Sequence, residues 1–167
     1  MVEKYKFRII FRNEIDDTLR EVVAHLLKEQ KKVQPPYEEK ADRCKVICVV
    51  FDDERPVALG AIKIKTKSVF GRDKANVPEL SNKFDDELGY IYVKSKYEGQ
   101  GIASKVVSLL LKEFRNVNLM ASTETTANPG MVKILKRFGF RHYGSTWHSS
   151  MEHKNELGLF LKMNRKD

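Results

Sequence analysis

Apolar and basic positions alternate where the chain begins: Tyr5, Phe7 and Ile9 are interleaved with Lys6 and Arg8. A period of two predicts a strand, whose successive side chains point to opposite faces. Beyond Asn13 the period lengthens. From about 14 to 32, Ile15, Leu19, Val22, Val23, Leu26 and Leu27 recur at helical spacing. Glu14, Asp16 and Asp17 crowd the first turn and Lys28, Lys31 and Lys32 the last, as the helix dipole favours. Pro35-Pro36 stops the helix. Two β-rich runs, Lys45 to Phe51 and Val57 to Lys65, flank Asp52-Asp53-Glu54-Arg55-Pro56 and predict a hairpin. Residues 67–84 hold Gly71, Pro78 and many charges, which predicts a long loop of the kind that often serves as a lid. Leu88 to Val93 predicts the next strand.

Helix and strand then alternate. Ile102, Val106, Leu109, Leu110 and Phe114 form the buried stripe of a helix from Gly101 to about Phe114. Asn118 to Ala121 begins a short strand. Asn128-Pro129 opens a helix that runs through Arg137 and ends at Phe138-Gly139-Phe140, and Arg141 to Thr146 and Leu157 to Met163 predict two last strands. The order β, α, ββ, long loop, β, α, β, α, ββ implies an α/β (α+β) chain with a mixed central sheet flanked by helices. A chain of 167 residues with no repeat, low-complexity stretch or linker is expected to form one domain over 1–167.

Composition adds exclusions. Hydrophobic residues make up 41% and charged residues 32%, as in ordinary globular chains. No apolar run approaches the roughly 18 residues of a membrane span, and Met1 to Lys6 lacks a secretory core. No membrane partner and a cytoplasmic location are therefore expected. Cys44 and Cys48 stand four residues apart on one predicted strand, roughly 13 Å, against the about 4.4–6.8 Å a disulfide spans. Buried thiols in a reducing compartment are the expectation. The histidines are scattered, and the weak His148-Glu152-His153 grouping lacks zinc-site spacing, so no metal is expected. The net charge of +8 is spread along the chain, with small clusters such as Lys133, Lys136, Arg137 and Arg141. It fits a solvated surface, a nucleic-acid partner or a polyanionic ligand.

Chemistry concentrates where a strand gives way to a helix, in Tyr90-Ile91-Tyr92-Val93-Lys94-Ser95-Lys96-Tyr97-Glu98-Gly99-Gln100-Gly101-Ile102-Ala103-Ser104. Glycine allows backbone angles that other residues resist and lets the chain approach a ligand closely. Amides at a helix start, with their partial positive charge, make a phosphate cradle. The Walker spacing is absent, and the dinucleotide fingerprint is half matched because Ser104 stands at its third glycine. A plain tight turn is the competing reading.

The run Val93-x-Ser95-x-Tyr97-Glu98-Gly99-Gln100-Gly101-Ile102-Ala103 resembles the pyrophosphate-binding motif of the GNAT superfamily of N-acetyltransferases. Downstream, Asn128-Pro129-Gly130 through Phe138-Gly139-Phe140 resembles that family's second motif, and the element order agrees over nearly the whole chain. The resemblance implies a mixed, mostly antiparallel sheet of six to seven strands with about four helices, splayed between the fourth and fifth strands. It implies acetyl-coenzyme A as co-substrate. Ile91, Tyr92 and Val93 would line the pantetheine arm, and Gly99, Gln100, Gly101, Ile102, Ala103 and Ser104 would hold the pyrophosphate. Asn128 would touch the arm, although helix capping ahead of Pro129 explains it equally.

The motif is departed from in three places. Glu98 brings a negative charge beside the expected pyrophosphate, Ser95 replaces a common proline, and Leu135 stands where many members carry the tyrosine that protonates the leaving thiolate. Glu87 is the candidate general base, set against a solvated strand-end carboxylate. Tyr143 and Trp147, with His148, are candidates to line the acceptor pocket, set against ordinary packing. The acceptor is expected to be an amine on a small molecule or a protein, with a nucleic-acid-linked amine open and a homodimer possible. The rival readings are a non-catalytic acyl-coenzyme A module, suggested by Glu98 and Leu135, and a basic nucleic-acid-binding domain.

Overall fold

The computed structural model describes residues 4–164. Strand β1 (Lys6–Phe11) fully buries only Ile10. Helix α1 (Asp17–Gln30) starts three residues later than the charge pattern predicts, because Asp16 is extended and its Oδ1 accepts the Leu19 amide at 2.8 Å. Glu14 instead belongs to a 3-10 turn and binds the Phe11 amide at 2.9 Å. Lys31 adopts φ 61 and closes the helix before Lys32. Leu19, Val23, Leu26 and Leu27 are buried along one face, each contributing roughly 1.5–3 kcal/mol.

β2 (Cys44–Asp52) and β3 (Arg55–Ile64) form the expected hairpin, turned more tightly than predicted: Asp52 pairs with Arg55 across Asp53-Glu54. Asp53 takes φ 54, a left-handed angle that aspartate tolerates better than most residues. The stretch read as a loop is ordered by two 3-10 turns, Lys67–Phe70 and Pro78–Lys83, the first burying Val69 and Phe70. β4 (Asp86–Val93), α2 (Ile102–Glu113), β5 (Leu119–Glu124), α3 (Pro129–Arg137), β6 (Arg141–His148) and β7 (Glu156–Lys162) follow in the expected order. In α2, Val107 is buried while Leu109 and Phe114 are half-exposed, a rotation of the predicted stripe.

The chain divides into two compact units. The first comprises residues up to 63 and 88–114. It carries the antiparallel β1-β2-β3 ladder and most of β4, with α1 packed on Ile10, Ile47, Val49, Leu59 and Tyr90. The second comprises residues 64–87 and those from 115 on. There the first residues of β4 pair parallel to β5, Asp86 with Leu119 and Glu87 with Met120, and these two pairs make up that ladder. β5 pairs antiparallel with β7, and β7 with β6. The strand order is β1-β2-β3-β4-β5-β7-β6, a seven-stranded mixed sheet in which β4 and β5 run parallel. Three α-helices and five 3-10 turns complete it among the described residues. Cys44 and Cys48 are buried and unbridged. No described helix is long and apolar enough to cross a membrane.

Candidate active site

The first unit brings the β4 edge and the glycine turn together in one continuous segment. Tyr90 lies in β4 at φ 57, an angle rare for an aromatic residue and worth of order 1–3 kcal/mol of strain. Faces alternate as the sequence predicts. Tyr90 and Tyr92 pack toward α1. Ile91 lies on the other face: a Cβ added at Gly60 would come within 2.6 Å of both Ile91 Cδ1 and Val106 Cγ1. The Tyr92 hydroxyl donates to Glu29 Oε1 at 2.9 Å, and burial, with that carboxylate, pushes its pKa up to about 12. Lys94 Nζ is 3.6 Å from Glu29 Oε2. The Ile91 carbonyl accepts from Gln30 Nε2 at 2.9 Å. Over the Tyr90 ring, 4.5 Å from its centre, sits the nearly buried Lys63 ammonium. Val93 is half-buried at the strand's end.

After β4 the chain makes a 3-10 turn over Ser95–Tyr97 and passes through Gly99 at φ 77 and Gly101 at φ 82. Both angles are in the region glycine alone takes at little cost. Side chains pin the turn from outside. Tyr97 donates to Asp52 Oδ2 at 2.7 Å, Tyr5 donates to Gln100 Oε1 at 2.8 Å, and the two tyrosine rings meet edge to face at 5.7 Å. Gly101 is the N-cap of α2, and its carbonyl accepts the Lys105 amide at 3.1 Å. With no side chain there to cap the helix, the first-turn amides of Ile102 and Ala103 have no acceptor within the helix. A Cβ at Gly99 would meet no heavy atom within 4 Å. The turn therefore offers first-turn amides without a helical acceptor, a positive helix end and open space at Gly99, which fits a diphosphate. Glu98 is exposed on this turn, where solvent and salt screen its charge.

The second unit holds the remaining candidates at separate places. Glu87, the second residue of β4, is 5% exposed, and its Oε1 accepts the Thr66 amide at 2.8 Å. It is a buried, hydrogen-bonded carboxylate rather than a solvated one. Asn128 caps α3, with Oδ1 on the Met131 amide at 3.2 Å and Pro129 following at the first helical position. Leu135 is fully buried. Trp147 packs into the cluster of Phe70, Phe84, Met120 and Leu159, with Tyr143 half-buried against it. His148 is exposed, its Nδ1 3.2 Å from the Lys154 carbonyl.

Two buried carboxylates, Asp86 and Glu124, escaped the sequence reading. Glu124 ends β5, is 5% exposed, accepts from Asn155 Nδ2, and lies 3.9 Å from His153 Nδ1. The strand, expected to begin over 118–121, continues through Ser122-Thr123-Glu124 with Thr123 and Glu124 buried, which three consecutive polar residues do not announce.

A family model described as the acetyltransferase (GNAT) family matches residues 11–140. A search of curated proteins by sequence finds no significant match. Among solved structures, Arabidopsis thaliana NAA60 in complex with acetyl-CoA is similar at TM-score 0.67 and 15% identity, over 94% of this chain and 97% of that one. The ribosomal-protein-S18-alanine N-acetyltransferase from Escherichia coli aligns at TM-score 0.65 and 13% identity, over 97% and 96%. Escherichia coli ElaA gives TM-score 0.66 and 10% identity, over 95% and 99%. At these identities the likeness is one of fold.

Proposed function

This chain belongs to the GNAT acetyltransferase family, and from that premise we propose that it moves an acetyl group from acetyl-coenzyme A to a primary amine by direct attack in a ternary complex. The observation that carries this reading is the left-handed pair Gly99 and Gly101 ahead of an uncapped helix start. In this reading the amides between Gly99 and Ser104 hold the pyrophosphate. Each charge-assisted hydrogen bond contributes about 1.5–3 kcal/mol, so a few of them outweigh the screened repulsion from Glu98. The β4 backbone at Ile91, Tyr92 and Val93 lines the pantetheine arm. Asn128 keeps its Nδ2 donors for that arm while its Oδ1 caps α3.

The donor supplies an activated thioester. An attacking amine must be neutral, so the protein has to position it and remove a proton. Glu87 is assigned that proton, as a buried carboxylate held at the start of β4 by the Thr66 amide. No tyrosine stands at Leu135, and a thiolate, far less basic than an alkoxide, needs less help to leave. For the acceptor, a small-molecule or protein amine is proposed, with Tyr143 as a wall residue. Trp147, committed to the hydrophobic cluster, supports that role less. The basic surface favours an acceptor that carries negative charge.

The test is a screen of amines, peptides and aminoacyl-tRNA with isotopically labelled acetyl-coenzyme A, read by mass spectrometry alongside release of free thiol. Labelled product on one acceptor class with matching thiol release is expected. Tight binding of acetyl-coenzyme A with no turnover on any acceptor would establish the non-catalytic alternative, for which the buried Leu135 is the specific observation.

A further inference from the structure

Gln30, the last residue of α1, turns its side chain toward β4. Its Nε2 donates to the Ile91 carbonyl at 2.9 Å, and its Oε1 is buried with no hydrogen-bond partner among the described residues. Chemistry fixes which way the amide faces. A carbonyl oxygen can only accept, so the NH2 group must meet Ile91, and a flipped amide would set two acceptors against each other. Buried side-chain oxygens are nearly always paired, and leaving one unpaired costs about 1–3 kcal/mol. A methionine of similar length would fill the same space without that cost.

The location gives the orphan a use. Ile91 lies on the strand whose backbone is proposed to pair with the pantetheine arm, and its carbonyl is already taken. The Gln30 amide satisfies the strand's acceptor with its NH2 group and holds a second acceptor, Oε1, buried and unpartnered beside it. We propose that Gln30 Oε1 accepts an amide N–H of the pantetheine arm of acetyl-coenzyme A, so that β4 holds the cofactor through this side chain. The inference rests on the proposed function and adds to it a binding residue from α1.

Calorimetric titration of the full chain with two probes tests it: acetyl-coenzyme A, and 3′-phospho-ADP, which has the phosphates but no pantetheine. Gln30→Met fills the space and removes the acceptor. Its Kd for acetyl-coenzyme A is expected to rise about tenfold, a loss of about 1.4 kcal/mol, with 3′-phospho-ADP binding unchanged. Gln30→Ala, which keeps the helix, uncovers the Ile91 carbonyl for direct pairing and is expected to fall between wild type and Gln30→Met. A residue that merely braces the fold would not produce that order or discriminate between the probes. Equal affinity of wild type and both variants for acetyl-coenzyme A overturns the proposal, as does an equal loss for both probes. If wild-type protein binds neither probe, the acetyl-transfer reading itself falls and takes this inference with it.

Discussion

Cys44 and Cys48 sit on β2 with their side chains buried, and burial pushes each thiol from its ordinary 9.0 up to about 12. Between those values an unfolded chain loses both protons while the folded chain keeps them. Their contribution to stability is thus complete below pH 9 and is lost as the pH rises toward 12. Urea midpoints should fall steeply over that window, and Cys48→Ala should make the alkaline limb shallower; an unchanged limb would show the thiols titrate normally. At the same scale, Glu87→Gln should leave the acetyl-coenzyme A Kd within about twofold and lower turnover by roughly 10²-fold. A wild-type rate in that variant would remove Glu87 from the chemistry.

Individual elements were legible wherever a residue carries its own backbone rule. Asn128-Pro129 marked the start of α3, and Gly101 the start of α2, because capping and left-handed angles belong to those residue types. Asn128→Ala should cost about 0.5–2 kcal/mol of stability through the lost Met131 bond, measurable by urea unfolding; no loss would mean the cap is idle. Boundaries were less legible where charge stood in for geometry. Acidic residues from Glu14 onward suggested one continuous first turn, yet only Asp16 reaches the helix amides. The charged 67–84 stretch hid Val69 and Phe70, whose burial orders it. Nothing in a tyrosine's chemistry announces φ 57 at Tyr90.

At the scale of the molecule, the mixed sheet with its fourth and fifth strands side by side came from the family resemblance, and the full strand order from neither that nor periodicity, which is blind to strand partners. The bonds that hold the glycine turn and the end of β4 are likewise non-local: Tyr5 to Gln100 across 95 residues, Tyr97 to Asp52 across 45, Gln30 to Ile91 across 61. No spacing rule reaches that far, so the motif marked the proposed phosphate cradle but not what pins it. Binding to that cradle should stabilise the folded chain by about 2.7 kcal/mol at a hundredfold excess over Kd. The most direct measurement is calorimetric titration of acetyl-coenzyme A into wild-type protein and Gly101→Val, which forces a β-branched residue into φ 82 beside the phosphates. Saturable one-to-one binding that the substitution abolishes is the expected result. Equal affinity in the two proteins, or no binding heat in wild type, would contradict the account.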